Sequence, residues 1–338
     1  MRKRFFGLAL SPLPFALISV SVLLLALSSL VEAQQPDKVY RFGLLHSAAS
    51  GVPYFTDAFR QGMREQGYVE GKNYVLEIRA RGSKTDQLSN LAADLVSLKV
   101  DIILTVGFPA TRAAKEATST IPIVMHTGSD PVRRGVVASL AHPGGNITGV
   151  VSIGVELNAK RLELLAEAVP GVKRIAVLTA SQRVAAGEGR SNKELEATAQ
   201  ALGVKLQFLR ARDASEIDKA FLAMTEAQAD ALLVMAHSQY VQHRDRIIRH
   251  AAENRLPAIY FHSTQVESGG LITYGMKYAE NFRRMTIYVD KILKGAKPAN
   301  LPIERPRKFE LVINLKTAEQ IGITIPPNVL ARATRVIR

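Results

Sequence analysis

From residue 39 onward the chain alternates short, almost continuous apolar runs with longer stretches whose apolar residues recur every three or four positions. The first pattern predicts strands buried on both faces, the second amphipathic helices. Strands are predicted at 39–46 (VYRFGLLH), 74–81, 101–106 (DIILTV) and 121–126 (IPIVMH), and helices at 54–67, 86–98, 109–118 and 130–141. In 86–98, Leu88, Leu91, Leu95 and Leu98 share one side. The helix at 130–141 should stop before His142-Pro143-Gly144-Gly145, a run of helix breakers.

The rhythm then restarts. Strands are predicted at 147–152, 174–179 (RIAVLT), 205–210, 231–236 (ALLVMA) and 258–261 (AIYF), and helices at 157–168, 193–202, 214–227 and 244–254. Alternation of this kind implies parallel sheets covered on both faces, and there are too many strands for one compact sheet. The expected fold class is therefore α/β, with two Rossmann-like lobes built on parallel sheets. A further strand (271–274), helix (281–293), strand (310–314) and terminal helical stretch follow after the second lobe is complete. The simplest account is a chain that returns to the first lobe and crosses back, giving a three-crossover hinge. The lobes would be 39–148 plus 271–306, and 149–270 plus 307–338.

Residues 1–33 read differently. Arg2, Lys3 and Arg4 precede an apolar stretch from about residue 13 to 30, and Val31-Glu32-Ala33 places small residues where a signal peptidase reads. That order predicts a cleavable secretory signal peptide; an uncleaved anchor is the alternative, given the length of the apolar run. The chain contains no cysteine, so disulfides, a thiol nucleophile, thiolate metal sites and a lipid anchor on a cysteine after residue 33 are all excluded. Net charge is +14 for the full chain; removing three basic residues and one acidic residue with the signal leaves +12. The basic residues are scattered, with only short clusters such as Arg133-Arg134 and Arg283-Arg284, so a solvated basic surface is expected rather than a nucleic-acid groove.

Open parallel sheets bind ligands beyond the carboxyl ends of their strands, and the residues there are the candidates. In the first lobe they are His46, Ser47 and Ser50; Gly107, Phe108, Ala110 and Thr111; and Gly128, Ser129 and Asp130. In the second they are Thr179 and Ser181, His237 and Ser238, His262, and Tyr274. Small hydroxyl residues and glycine at helix starts let backbone N–H groups approach an anion such as a carboxylate. Taken singly, each hydroxyl or Asp could equally be an N-cap. Phe108 could stack on a ligand or pack between lobes, and Tyr240, Tyr260 and Tyr274 carry the same ambiguity. Asp130 could pair with a ligand amine or cap its helix. The seven histidines form no HExxH-type pair, and no GxSxG, GxxxxGK[ST] or GxGxxG signature is present. No metal, cofactor or catalytic site is expected.

Long runs of the chain resemble the ABC-transporter substrate-binding protein family whose members include tryptophan/tyrosine-type binding proteins. They are AFRQGMREQGYVEGKNYVLEIR (58–79), LAADLVSLKVDIILTVGFPATRAAKEATSTIPIVMHTGSDPV (91–132), GVVASLAHPGGNITGV (135–150), KRLELLAEAVPGVKRIAVL (160–178) and YVDKILKGAKPANLPIERPRKFELVINLKTAEQIGITIPPNVLARA (288–333). The resemblance implies a type 1 periplasmic binding fold that closes on a small-molecule ligand by hinge motion. It also implies an inner-membrane ABC permease with its ATPase as partner, and no cofactor. Its site motifs match in the first lobe: the loop after the first strand, Gly107-Phe108-Pro109-Ala110, and 128–130. The second lobe departs. Thr179-Ala180-Ser181-Gln182-Arg183 stands where relatives often have an Asn-Pro loop, and Ala236-His237-Ser238-Gln239 where they often carry Pro and Asp.

The expected function is a periplasmic, monomeric solute-binding protein for an amino acid or related carboxylate or amide. A periplasmic sensor subunit would share the fold, and an exported α/β enzyme would need a convergent nucleophile and base in the cleft. A DNA-binding regulator with this fold would need a helix-turn-helix where the signal segment stands.

Overall fold

The computed structural model describes residues 38–82, 87–152, 157–186, 188, 190–306 and 308–338; the expected signal segment, 1–33, lies outside the described residues. Strands β1 (Tyr40–His46), β2 (Tyr74–Ala80), β3 (Ile102–Val106), β4 (Ile123–Thr127) and β5 (Ile147–Val151) form a parallel sheet in the order β2-β1-β3-β4-β5, connected through helices α1 (Val52–Glu65), α2 (Leu88–Ser97) and α3 (Phe108–Ala117). The second sheet contains β6 (Arg174–Thr179), β7 (Lys205–Arg210), β8 (Ala231–Val234), β9 (Ala258–Tyr260), β10 (Ile272–Met276), β11 (Phe309–Asn314) and β12 (Arg335–Ile337). Its order is β12-β11-β10-β9-β8-β6-β7, parallel except where β10 meets β11. The first five of its strands thus repeat the order of the first sheet. Helices α4 (Asn158–Ala168), α5 (Gln182–Ala185), α6 (Arg190–Leu202), α7 (Ala214–Glu226), α8 (Ser238–Gln242), α9 (Arg244–Glu253) and α10 (Ser263–Glu267) accompany the second sheet. Helix α11 (Tyr278–Leu293) returns to the first, and α12 (Leu315–Ile321) and α13 (Pro327–Leu330) separate β11 from β12.

The strands are apolar on both faces because both faces are covered. On β1, Phe42 and Leu44 pack with Phe55 and Phe59 of α1 and Phe282 and Met285 of α11. Leu45 points the other way, against Leu88 and Leu95 of α2 and Ala110 of α3. The second sheet divides its residues the same way: Ile175 and Val177 pack toward α4 and α6, Ala176 and Leu178 toward α7 and α9.

Three expectations are corrected. The strand at 147–151 closes the first sheet rather than opening the second, with Ile123↔Ile147 through Thr127↔Val151 in register. Gly149 makes that pairing possible. It holds φ +135, and a Cβ there would collide with the Met125 carbonyl oxygen and lie 2.6 Å from the Met125 nitrogen. The strand at 272–276 stays in the second sheet between β9 and β11 instead of beginning the return to the first lobe. The return begins with α11, whose Phe282, Met285, Tyr288 and Val289 are buried against the first sheet. At roughly 2 kcal/mol for each buried side chain this fixes where the helix belongs. Finally, 130–141 is a series of turns. The Pro131 carbonyl accepts the N–H groups of Val136 and Val137, and Gly135 sits at φ +65, which a helix cannot accommodate.

The chain passes between sheets after Ser152, at Lys277 and between Glu304 and Phe309. Each passage is pinned. The N–H of Val151 donates to the Glu304 carbonyl (2.9 Å) and the N–H of Glu304 to that of Gly149 (3.0 Å). Met276 pairs with Phe309, and the Lys277 N–H donates to the Lys308 carbonyl (3.4 Å). Arg161 of α4 is fully buried; its Nε donates to the Tyr274 carbonyl (2.7 Å) and its Nη1 to Asn158 Oδ1 (2.7 Å). Burial lowers its pKa to about 10, so the guanidinium remains charged at neutral pH. It ties the helix after the first passage to the strand before the second.

Replacing Gly149 by Ala is expected to destabilise the protein by about 2 kcal/mol or more, read as a lower urea midpoint. A midpoint equal to the wild type would contradict the close β4–β5 approach.

Candidate functional site

Where the strand order of a parallel sheet reverses, the loops beyond the carboxyl ends diverge and leave a crevice. In the first sheet the reversal lies between β1 and β3, in the second between β6 and β8. The loops at these points are 46–51 with 107–111, and 179–181 with 235–239. The two carboxyl edges face each other. Helix α8 packs on the turn Ala49–Gly51, and His262, just past β9, inserts among rings of the first lobe. Its ring lies 5.0 Å from Tyr54 of α1 and stacks at 4.3 Å on Tyr278. His126 of β4 lies 5.6 Å from Tyr278 and 5.0 Å from Phe282. Burial raises the pKa of the Tyr54 hydroxyl at this seam.

The first-lobe candidates hold one another. The Ala110 N–H donates to Ser47 Oγ (3.2 Å), and the Ser47 N–H to the Val106 carbonyl (3.0 Å). This junction requires Gly107, at φ +92, where a Cβ would lie 2.5 Å from Ser47 Oγ. Thr111 is buried and bonded to Thr105 (2.9 Å) and to the Gly107 carbonyl (3.2 Å). His46 Nδ1 accepts the Ala48 N–H (3.0 Å), and the Ala49 N–H donates to the Arg81 carbonyl (2.9 Å). Several N–H groups expected to hold an anion are therefore engaged within the protein. Ser50 is exposed in its turn, and Phe108 is half-buried, with the Arg134 guanidinium 5.1 Å from its ring centroid. Gly128 and Asp130 are exposed, and the Ser129 N–H donates to Thr127 Oγ1 (3.2 Å). Asp130 Oδ1 accepts the N–H groups of Val132 (3.0 Å) and Arg133 (3.2 Å). Its carboxylate caps a turn, not the helix that was expected.

In the second lobe, Thr179 Oγ1 accepts the Ser181 N–H (3.2 Å) and Ser181 Oγ that of Val184 (3.4 Å). His237 and His262 cap α8 and α10 through Nδ1, to Gln239 (3.3 Å) and Thr264 (3.2 Å). The Ser238 side chain lies outside the described residues. Tyr274 stacks on Phe309 at 6.2 Å; the ring at the seam is Tyr278. Tyr240 and Tyr260 belong to the core.

The strand-end reading passed over Tyr54, His126, Tyr278 and Phe282. Extending it into the first turn of the helices after β1 and β10 reaches Tyr54 and Tyr278, the second turn of the latter reaches Phe282, and the penultimate residue of β4 is His126. His126 is the least ordinary of these. It is buried, and its Nε2 has no hydrogen-bond partner among the described residues.

Burial keeps the seam histidines neutral. It lowers the pKa of His46 to about 4, of His262 to about 4 and of His126 to about 3, with His46 and His262 adding to the effect on His126. In the unfolded chain each would titrate near 6.5. Between about pH 6.5 and 4 the unfolded state therefore binds more protons, and stability falls as pH falls. His126→Gln is expected to flatten this dependence by up to about 1.4 kcal/mol per pH unit, measured by urea unfolding across that range. A variant with the wild-type pH profile would contradict a neutral, buried His126.

Comparisons with known proteins agree with this architecture. The family model described as ABC transporter substrate binding protein matches residues 51–337. A curated relative from Clostridioides difficile (strain R20291), a tyrosine-binding protein, is 26% identical over 266 residues, 78% of this chain and 75% of its own length. A crystal structure of a conserved domain protein from Vibrio cholerae superposes with TM-score 0.78 at 27% identity, covering 88% of this chain and all of that one. An ABC domain in complex with L-Trp from Streptococcus pneumoniae gives TM-score 0.75 at 25% identity, again over 88% and 100%. The fold is the two-lobed type 1 periplasmic binding fold, and the chain belongs to the ABC transporter substrate-binding protein family, a family of binding proteins rather than enzymes.

Proposed function

We propose that this chain is the extracytoplasmic binding component of an ABC uptake system and that it carries an aromatic amino acid, tyrosine or tryptophan, between its lobes. The observation that carries the reading is the seam itself. Two strand-order reversals face each other, and rings from both sides converge beside them. Aromatic rings prefer offset-stacked or edge-on neighbours, and Phe108, Tyr54 and Tyr278 supply such faces near the first-sheet crevice. The unbonded His126 Nε2 offers a polar contact among these rings. The tyrosine-binding and tryptophan-bound relatives support the same ligand class.

In this account the ligand binds an open form and favours closure about the three passages, by as much as its affinity differs between the two forms. The closed form is what an inner-membrane permease with its ATPase would accept. Residues 1–33 would direct export, and with no cysteine to carry a lipid the product would be free in the periplasm.

Calorimetry and thermal-shift measurements against an amino-acid panel are expected to select L-tyrosine or L-tryptophan. The chain contains no tryptophan, so a change in L-tryptophan emission on binding is read without background from protein tryptophan. Phe108→Ala is expected to weaken binding about tenfold, the scale of one lost aromatic contact. Stabilisation by aliphatic amino acids alone, or by no amino acid, would refute the proposal.

A further inference from the structure

Beside the first turns of α11 lies a solvent-open cavity of about 230 Å³, lined by Lys277, Glu280, Asn281 and Arg284 together with Arg305 and Lys308 of the third passage. On α11, the lining positions 277, 280, 281 and 284 share one face. Tyr278, Phe282 and Met285 point to another, so the cavity and the aromatic seam use different sides of the helix.

The lining has no apolar side chain. Four of its members are cations and one is a carboxylate, and that carboxylate is already engaged, with Glu280 Oε1 3.0 Å from Lys308 Nζ. Arg284 is held by Glu304, its Nε donating to Oε2 at 2.6 Å. Lys277, half-buried, and Arg305, exposed, form no ion pair among the described residues, so two cations at the cavity wall face water rather than a carboxylate. Lys277 also occupies the N-cap of a 16-residue helix and makes no capping bond through its side chain. The N-terminal end of a helix carries partial positive charge and favours anions, so a cation there is placed against the field. Excess cations and a helix start that meet at one polar cavity are stabilised together by a single anion.

We propose that this hinge cavity binds a small, multiply charged oxyanion, at a site distinct from the ligand cleft. The guanidinium of Arg305 suits a phosphate or carboxylate edge, and Lys277 supplies a point charge beside it. Because Lys277 and Arg305 belong to different passages, an occupant held by both would bridge them.

The test is isothermal titration of the full chain with inorganic phosphate and, in a second arm, with citrate, each at ionic strength matched with chloride. Saturable binding is expected in at least one arm, and Lys277→Gln combined with Arg305→Gln should weaken it at least about tenfold, as expected for two lost charge-assisted contacts. Arg249→Gln, which removes a solvent-exposed cation on α9, should leave it unchanged. No saturable binding in either arm, or equal binding by the wild type and the double variant, would overturn the proposal. So would equal losses in the double variant and in Arg249→Gln, which would mark a general charge effect.

Discussion

A parallel sheet whose two faces are covered by helices can meet a ligand only along its edges. The carboxyl edge is the one where helix starts and divergent loops gather. Almost everything else in this protein follows from having two such sheets with the same strand order, turned so that these edges meet. The helices seal the faces with Phe, Leu, Ile and Val, and polar chemistry is left at the seam. There His262 of one lobe lies among Tyr54 and Tyr278 on the other side. His46 and His262 can be buried at that place because their Nδ1 atoms accept the N–H groups of Ala48 and Thr264. Those bonds require the neutral ring.

Each lobe is a packed sheet with its own core, whereas the links between lobes are three short passages. The passages are tethered at their roots by Arg161 to Tyr274, by Glu304 to β5 and by the Met276–Phe309 pairing. The described ends of each passage are thereby fixed to the sheets they join. A fully buried guanidinium is costly unless its donors are satisfied, and the bonds of Arg161 to a strand carbonyl and to Asn158 reduce that cost where the chain first enters the second lobe and later leaves it.

Much of the fold was legible in the hydrophobic pattern. Strands such as 174–179 and 205–210 end where their apolar runs end, and the two-lobed α/β class follows from their alternation with helices. The misassignments have physical causes. β5 and β10 lie next to the passages, and an apolar run declares that a strand is buried without saying which sheet buries it. The 130–141 stretch has helical spacing, but Pro131 and Gly135 turn its carbonyls inward. α5, α8, α10 and β12 are too short to show a period. At the candidate site, the loops after β1 and β3 are picked out by sequence because glycine and hydroxyl residues mark strand ends. Their N–H groups proved to be bonded to Ser47, His46 and Arg81. The seam rings were passed over because they sit a turn into a helix or inside a strand, where an aromatic reads as core.

The central claim is that the two carboxyl edges close on an aromatic amino acid. The most direct measurement is a crystal structure of the protein grown with L-tyrosine or L-tryptophan. The account predicts the ligand between the loops 46–51 and 107–111 of the first lobe and the second-lobe segment around His262, with its ring against Tyr54, Phe108 or Tyr278. A ligand bound elsewhere, or a cleft that closes with those rings packed only on one another, would contradict it.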